Sequence, residues 1–413
     1  MGQTIIEKII SRNAGRPVKP GDIVTVKVDR VMLDDIMMPF ITSKFKEMGF
    51  TKVWDPEKVV IICDHLVPAS QVDDIRAYRI SCDFAEEQGI PNLHRSDGIC
   101  HQLMTEAGYV KPGDVVFGTD SHTTTYGCVG AFSTGIGYTE MAGILGTGEL
   151  WIRVPETIKV EVTGEFPDSV MSKDLILRLI GDLTAAGATY KALEFCGEAI
   201  GKMSNSSRMT IANMAIEAGA KCALFTPDGK TAEYCGIELN DFQKSLFGDP
   251  DAVYCRTMQY DASALVPVMA VPSNVDHVVP VSELGEKPVD QVFLGSCTNG
   301  RLEDLMAAAE VLKGKKVHPF VKLIVTPASR KIYEEALENG TLKILLDAGA
   351  VITHPSCGLC CGRTGGILTD GEVVVATNNR NFLGRMGTSK VQIYLASPKT
   401  AAACAVAGKL TSL

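Results

Sequence analysis

The chain has 413 residues, of which 46% are hydrophobic and 22% are charged, a composition typical of a globular enzyme. Its length exceeds what one hydrophobic core usually supports, so we expect two or three domains. The net charge of -9 is spread along the chain and no basic stripe is present, which argues against a nucleic-acid partner.

The N-terminal segment, residues 1–17, mixes charged and apolar residues as a short amphipathic helix does, which is not the pattern of a signal peptide. No apolar run reaches the ~18 residues that a membrane span needs. The 13 cysteines are an odd number without the spacing of a disulfide framework. We therefore expect a cytoplasmic chain without a membrane partner, in which most thiols are buried and a few bind metal.

Runs of β-branched residues alternate with helical patterns along the chain. In chain order, strands are predicted over 58–64, 114–120, 157–164, 289–297, 321–327, 350–356 and 372–379. Helices are predicted over 73–89, 171–183 and 302–312. This alternation predicts an α/β fold whose sheets are covered by helices.

Two segments indicate domain boundaries: 152–162, where a proline follows a glycine-rich stretch and a new strand begins, and 271–288, an irregular proline-containing linker. They predict domains over 1–155, 156–280 and 281–413. Several predicted strands end in polar or thiol side chains, where open α/β sheets usually bind ligands. These residues are Asp64, Asp120, Cys297 and Asn378.

The stretch HPSCGLCCGRTGG contains Cys357, Cys360 and Cys361. A redox pair usually opens a helix near the start of a small domain, and structural zinc would need a second CxxC, which the chain lacks. Buried thiols, a redox pair and a metal cluster held by three thiolates remain as interpretations. The cluster needs a remote cysteine, and Cys297 in FLGSCTNGR, at the end of a predicted strand, can supply it. An iron left without a protein ligand would act as a Lewis acid.

Other motifs accompany these cysteines. In chain order they are ICDHL, GICHQ, FGTDSHTTTYG, IANMAIEAGA, GSCTNG, CGLCCG and ATNNRNFLGR. Together they resemble the aconitase superfamily of iron–sulfur hydro-lyases, essentially from residue 1 to 413. The resemblance implies three α/β/α domains of the aconitase type around an iron–sulfur cluster.

The resemblance also implies the cluster ligands. Cys297, Cys357 and Cys360 would hold a 4Fe–4S cluster in which one iron has no protein ligand. Cys361 stands where the family usually has an aliphatic residue, so we expect it to pack beside the cluster. An alternative is a labile thiol that becomes oxidised when the cluster is lost.

Three carboxylate–imidazole pairs follow from the motif match, and a carboxylate beside an imidazole fixes its tautomer and raises its pKa. The catalytic pairs would be Asp64 with His65, His101 with Asp120, and His122 with Glu217. Arginines that follow a strand end are suited to bidentate binding of a substrate carboxylate. The implied substrate-binding residues are Ser121, Asn213, Asn379, Arg380 and Arg385.

Full-length aconitases carry a further C-terminal swivelling domain, which supplies the catalytic serine. The chain ends soon after NRNFLGR, so we expect a large subunit that is active with a separate small subunit carrying that domain and serine. Two-subunit members act on hydroxy-polycarboxylates, and 3-isopropylmalate, an intermediate of leucine biosynthesis, is the first expectation. The alternatives are 2,3-dimethylmalate or another methyl-substituted malate, and homocitrate-type tricarboxylates.

Asp34 and Asp35 depart from the usual pattern of isopropylmalate members, which have a histidine followed by an acidic residue there. This difference predicts either a changed substrate or a residue that only packs. Two other classes of protein stay as distant alternatives. One is a cluster-dependent RNA-binding regulator, and the other is an electron carrier with Cys361 as a fourth ligand.

Overall fold

The computed structural model describes residues 2–413. The strands are β1 Ile23–Lys27, β2 Arg30–Asp34, β3 Val59–Ile62, β4 Asn92–His94, β5 Val115–Gly118, β6 Phe132–Gly135, β7 Glu149–Arg153, β8 Thr157–Thr163, β9 Ala192–Cys196, β10 Cys222–Phe225, β11 Arg256–Asp261, β12 Val268–Ala270, β13 Val278–Pro280, β14 Gln291–Leu294, β15 Lys322–Val325, β16 Val351–Ile352, β17 Val373–Ala376 and β18 Gln392–Leu395.

The helices are α1 Ile5–Ala14, α2 Met38–Glu47, α3 Val72–Gln88, α4 Cys100–Glu106, α5 Tyr138–Thr147, α6 Ser172–Leu183, α7 Glu198–Lys202, α8 Asn205–Met214, α9 Gly229–Cys235, α10 Asp241–Lys244, α11 Ser296–Asn299, α12 Leu302–Leu312, α13 Arg330–Glu338, α14 Thr341–Ala348 and α15 Pro398–Ala407. Two 3-10 helices, Ser121–Val129 and Ala215–Ala218, also position side chains of interest. Among residues 2–413, no helix has both the length and the apolar composition that crossing a membrane requires.

The predicted elements are present and the α/β class is confirmed. Each of the seven predicted strands contains an observed strand, and these are β3, β5, β8, β14, β15, β16 and β17. The three predicted helices appear as α3, α6 and α12. The N-terminal helix is confirmed as α1. Thr4 and Glu7 form a capping box at its start, and its isoleucines are buried.

The chain forms two compact units. Unit 1 comprises the chain up to Ser96 together with Leu103–Thr163 and Ala188–Tyr260. Unit 2 comprises Asp97–Gln102, Gly164–Gly187 and Asp261–Leu413. The division into domains 1–155, 156–280 and 281–413 stays a prediction.

Unit 1 is built on a parallel five-stranded sheet with the order β4-β3-β2-β5-β6. A second sheet has the order β10-β9-β8-β11, and β8, β9 and β10 are parallel. The strands β1 and β7 form a separate antiparallel ribbon. The central strand β2 and its neighbour β3 are almost wholly buried, as expected for a parallel sheet with both faces covered.

Unit 2 is built on a seven-stranded sheet with the order β13-β12-β18-β17-β14-β15-β16. The strands from β18 to β16 in this order are parallel, while β12 pairs antiparallel with both β13 and β18. Apolar side chains of this sheet pack with those of α12 and α15 in one buried core. The carboxyl ends of β17, β14, β15 and β16 therefore lie along one edge of the sheet.

Gly127 allows the 3-10 helix Ser121–Val129 to approach β10 closely. A Cβ atom at Gly127 would lie 1.6 Å from the carbonyl oxygen of Ala223. We expect Gly127→Ala to lower the free energy of unfolding by about 1–3 kcal/mol, because this packing leaves no room for a methyl group. Urea denaturation measures the effect. The control is Gly143→Ala in α5, where a Cβ meets nothing within 4 Å and alanine favours the helix. Equal stability of the two variants would contradict the packing argument.

Candidate functional site

Three carboxylates stand at the carboxyl edge of the five-stranded sheet in unit 1. Asp34 ends β2, Asp64 follows β3, and Asp120 follows β5. The strands β3, β2 and β5 are adjacent and parallel. Strand order therefore gathers carboxylates that are up to 86 positions apart in the sequence at one edge of the sheet.

His65 lies between two of these carboxylates. Its Nδ1 is 2.7 Å from Asp64 Oδ1, and its Nε2 is 3.7 Å from Asp120 Oδ2. Burial disfavours the charged imidazole, but the negative charge of Asp64, its hydrogen bond to the ring and the nearby Asp120 carboxylate outweigh the effect of burial. They hold the pKa of His65 well above its ordinary value. The surrounding carboxylates thus favour the charged form of the imidazole, and its Nε2 faces Asp120.

His122 continues this array. Asp120 caps the 3-10 helix Ser121–Val129, and its Oδ1 accepts a hydrogen bond from the His122 backbone N–H at 2.7 Å. The same oxygen lies 3.3 Å from His122 Nδ1. On its other side, His122 Nε2 is 2.7 Å from Glu217 Oε1. Carboxylates and imidazoles therefore alternate from Asp64 to Glu217, an arrangement that can hold and pass protons.

The other predicted residues of unit 1 lie close to this array. Ser121 is the first residue of the 3-10 helix and is half-buried. Asn213, near the end of α8, is fully buried, and its Nδ2 donates to Thr125 Oγ1 at 2.9 Å. Its carbonyl oxygen accepts from Thr124 Oγ1 at 3.3 Å. Asn213 thus ties α8 to the helix that carries His122.

Asp34 and Asp35 are both buried, and their oxygens have partners inside unit 1. Asp34 accepts from the Thr119 hydroxyl and from the Met37 backbone N–H. Asp35 accepts from two backbone N–H groups after β3. Burial and the nearby charge of Asp64 raise the pKa of Asp35 to about 7. The departure noted in the sequence is therefore part of the internal polar network around His65.

Unit 2 gathers the cysteines. Cys297 follows β14 and is preceded by Ser296, whose φ of 75° is left-handed and costs about 1–3 kcal/mol. Cys357 and Cys360 lie in the loop after β16. All three thiols are buried, with relative exposures of 5%, 7% and 1%. Strained backbone next to buried thiols is typical of a functional site.

Asn379, at the end of β17, connects these thiols. Its Nδ2 donates to Cys297 Sγ at 3.5 Å, and its Oδ1 accepts from Cys360 Sγ at 3.8 Å. Hydrogen bonds of the Cys357 thiol with Cys360 and Cys361 hold the pKa of Cys357 well above its ordinary value. Cys361 is half-buried, and its thiol also donates to the Gly358 carbonyl oxygen at 3.1 Å. All four thiols therefore lie in one small region of unit 2.

Sequence patterns did not single out two buried cations close to these thiols. Lys173, in α6, is 0% exposed, and its Nζ donates to the carbonyl oxygens of Thr377 and Asn378 at 2.8 and 2.6 Å. Burial lowers the pKa of Lys173 to about 7, although the charges of Asp304, Cys360 and Cys297 oppose this shift.

The second cation is Arg301, which is 2% exposed and donates to the carbonyl oxygens of Cys297 and Thr298. Of the predicted arginines, Arg385 is half-buried and its Nη2 donates to Cys360 Sγ at 3.8 Å. Arg380 is also half-buried. Lys173, Arg301 and Arg385 are thus basic side chains beside the thiols, and Arg301 also lies 3.8 Å from the Asp304 carboxylate.

His101 lies in α4, is 2% exposed and belongs to the segment of the chain assigned to unit 2. Its predicted partner, Asp120, belongs to unit 1. The pairing of these two residues stays a prediction.

Comparison with known proteins identifies the family. The model of the aconitase family (aconitate hydratase) matches residues 7–288 and 282–408. The chain belongs to the aconitase family. A crystal structure of Thermococcus kodakaraensis aconitase X in its holo-form has a TM-score of 0.53 and 15% identity, covering 86% of this chain and 84% of that one. That likeness concerns the fold.

Curated relatives within the family match over the full length. The 3-isopropylmalate dehydratase large subunit 1 of Methanopyrus kandleri is 50% identical, covering 100% of this chain and 99% of the relative. The 3-isopropylmalate dehydratase large subunit of a Sulfurihydrogenibium species is 49% identical, covering 99% and 96%. A probable 3-isopropylmalate dehydratase large subunit of Methanothermobacter thermautotrophicus is 47% identical, covering 100% and 99%.

The aconitase family implies a 4Fe–4S cluster, and the chemistry of unit 2 fits one. Buried thiols are suitable ligands once they are deprotonated. A buried ammonium such as Lys173 costs several kcal/mol unless an opposite charge is near. Thiolates would add to the negative charge of Asp304, which together with Cys360 and Cys297 acts electrostatically on Lys173.

Proposed function

We propose that this chain is the large subunit of a 3-isopropylmalate dehydratase, a hydro-lyase that interconverts 2-isopropylmalate and 3-isopropylmalate through isopropylmaleate. The observation that carries the proposal is the match at 47–50% identity over the full length of relatives with that name. The two groups of residues, buried thiols in unit 2 and the carboxylate–imidazole array in unit 1, support it. They provide the metal and proton chemistry that a dehydration needs.

In this proposal Cys297, Cys357 and Cys360 hold the cluster. When bound, the cluster supplies an iron without a protein ligand as a Lewis acid for the substrate's hydroxyl and carboxylate oxygens. Asn379 orients two of the three sulfurs through its amide. Lys173 holds the end of β17 through two carbonyl oxygens and balances the negative charge of the thiolates.

The imidazoles handle protons. His65 keeps Nδ1 on Asp64, so the proton that it can give away is the one on Nε2, towards Asp120. His122 is fixed between Asp120 and Glu217. We assign these residues, together with His101, to protonation of the departing hydroxyl group and to activation of the returning water.

Substrate binding is assigned to the predicted polar residues. Arg380 and Arg385 bind a substrate carboxylate, for which a guanidinium is geometrically suited. Ser121 lies next to the array and offers a hydroxyl group. For Asn213 and Asn379 the proposed contribution is to shape the site, since their amides bind Thr125 and the thiols.

The partner in this proposal is a small subunit that carries the swivelling domain and the catalytic serine, which removes the carbon-bound proton. The relatives are named as large subunits, which supports such a partner. We also propose that the three predicted domains are of the aconitase type and that the enzyme is cytoplasmic.

An anaerobic assay tests the proposal. The chain is reconstituted with iron and sulfide, combined with the small subunit from the same genome, and followed by the ultraviolet absorbance of the enoate product. We expect turnover of 3-isopropylmalate only when both proteins are present. Turnover by the chain alone would contradict the need for a partner. Turnover of only 2,3-dimethylmalate, citramalate or homocitrate would replace the proposed substrate.

A further inference from the structure

One fully buried carboxylate controls the turn that carries Asp64 and His65. Asp35 is 0% exposed. Its Oδ1 accepts from the backbone N–H of His65 at 3.1 Å, and its Oδ2 accepts from that of Leu66 at 3.0 Å. Asp35 follows β2 and the turn follows β3, and these strands are paired in parallel up to Asp34. The carboxylate therefore joins the ends of two neighbouring strands.

Asp64 and His65 are neighbours in the turn after β3, and their side chains can touch only if the backbone there is not extended. Successive residues of an extended strand point to opposite faces, so Asp64 and His65 would not touch if β3 simply continued. In this turn their side chains are 2.7 Å apart. The contact therefore depends on the backbone conformation at His65 and Leu66. The N–H groups of these two residues donate to Asp35. A carboxylate that accepts two backbone N–H groups is strongly committed to that geometry.

Asp35 also acts on the charge of His65. Its Oδ1 lies 3.9 Å from His65 Nδ1. The other acidic groups that act on the imidazole are Asp34, Asp64 and Asp120. The carboxylate of Asp34 accepts hydrogen bonds from the Thr119 hydroxyl and the Met37 backbone N–H, and these partners lie outside the turn after β3. Asp35 therefore combines two contacts, one with the backbone of His65 and Leu66 and one with the imidazole.

We propose that Asp35 is a positioning residue for His65, which aims the imidazole at Asp64 by fixing the turn after β3 and favours its charged form. The inference rests on the proposed function in one respect, namely that the reaction uses His65. It extends the candidate site to a fully buried residue behind His65.

The test compares Asp35→Asn with a matched control, Asp174→Asn. Asp174 is also 0% exposed and accepts from two backbone N–H groups, those of Met171 at 2.8 Å and Val268 at 3.1 Å. It belongs to unit 2, whereas His65 belongs to unit 1. Both variants keep the shape of the side chain and lose one acceptor. A loss of stability caused only by a missing buried acceptor is therefore expected in both variants. An effect on His65 is expected only in Asp35→Asn.

Two measurements on the full-length chain need no activity. In Asp35→Asn, the amide of His65 or of Leu66, whichever then faces the new NH2 group, should exchange with solvent at least about tenfold faster, because its hydrogen bond is lost and local opening is favoured. By NMR titration, the pKa of His65 should fall, because a nearby negative charge that favours the imidazolium is gone. Asp174→Asn should leave both unchanged. Unprotected His65 and Leu66 amides in the unchanged chain would overturn the proposal without any variant.

Kinetics with the small subunit add a further readout. We expect kcat of Asp35→Asn to fall about tenfold to a hundredfold with KM little changed, as for a misplaced catalytic group. The alkaline limb of its pH profile should move to lower pH, since His65 loses its proton earlier. Equal kinetic losses in both variants would overturn the positioning role. Should the unchanged chain lack activity on any hydroxy acid, the proposed function fails, and the exchange and titration results still decide on Asp35.

Discussion

Replacement of Cys360 by serine is expected to abolish cluster binding and to reduce kcat below about one thousandth of the wild-type value, as the loss of an essential catalytic group does. The thiol is 1% exposed and contacts Asn379 and Arg385, so its position is fixed by its surroundings. A serine oxygen is a much poorer ligand for iron than a thiolate. Iron and sulfide content per chain after anaerobic reconstitution measures the first effect.

The adjacent residue provides the control. Cys361→Ser changes the same kind of atom one position further on, where the thiol is half-buried and donates to the Gly358 carbonyl oxygen. We expect this variant to retain its iron and most of its activity. The reverse result, with iron retained by Cys360→Ser and lost by Cys361→Ser, would show that the loop after β16 uses the other thiol.

The second large effect is expected for Glu217→Gln. Glu217 Oε1 lies 2.7 Å from His122 Nε2, so the amide removes the charge that orients and supports the imidazole. Loss of one acid–base partner typically lowers the rate about a hundredfold or more. We expect this loss in kcat with KM little changed, measured by the anaerobic assay with the small subunit.

A buried glutamate elsewhere in unit 1 separates this effect from loss of stability. Glu194 is 4% exposed and accepts from the Tyr254 hydroxyl and from the Ile5 backbone N–H at 2.9 Å. Glu194→Gln should destabilise the chain at least as much as Glu217→Gln while leaving kcat near the wild-type value. Similar kcat values for the two variants would remove Glu217 from the proposed proton chemistry.

The strands and helices could be predicted well because each depends on the pattern of apolar residues within its own short segment. Buried parallel strands such as β3 and β14 are continuous apolar runs, and α6 and α12 have the helical period of apolar residues. The polar and thiol residues that follow predicted strands also indicated Asp64, Asp120 and Cys297 as candidates for the site. Motif resemblance, which covers the whole chain, pointed to the family that the comparisons show.

The internal residues of the site were harder to predict. Lys173 lies 204 positions before Thr377 and looks like an ordinary lysine of an amphipathic helix. The pair Asp34-Asp35 looked like a departure from the family pattern, and the hydrogen bonds of Asp35 to His65 and Leu66 depend on strand pairing. The role of Asn379 in substrate binding stays a prediction from its motif, and the contacts of its amide with two thiols came only from the structure.

The sequence by itself determined the α/β class, the positions of the strands and helices, and the thiol, imidazole and carboxylate groups that follow the strands. Periodicity and motif spacing are properties of short segments, so they need no knowledge of distant neighbours. Only the tertiary structure decided that β3, β2 and β5 are adjacent, that Lys173 is buried near the cysteines, and that Asp35 accepts hydrogen bonds from the turn at His65. Those facts depend on strand order and on burial, because contacts between distant segments form when several elements pack together.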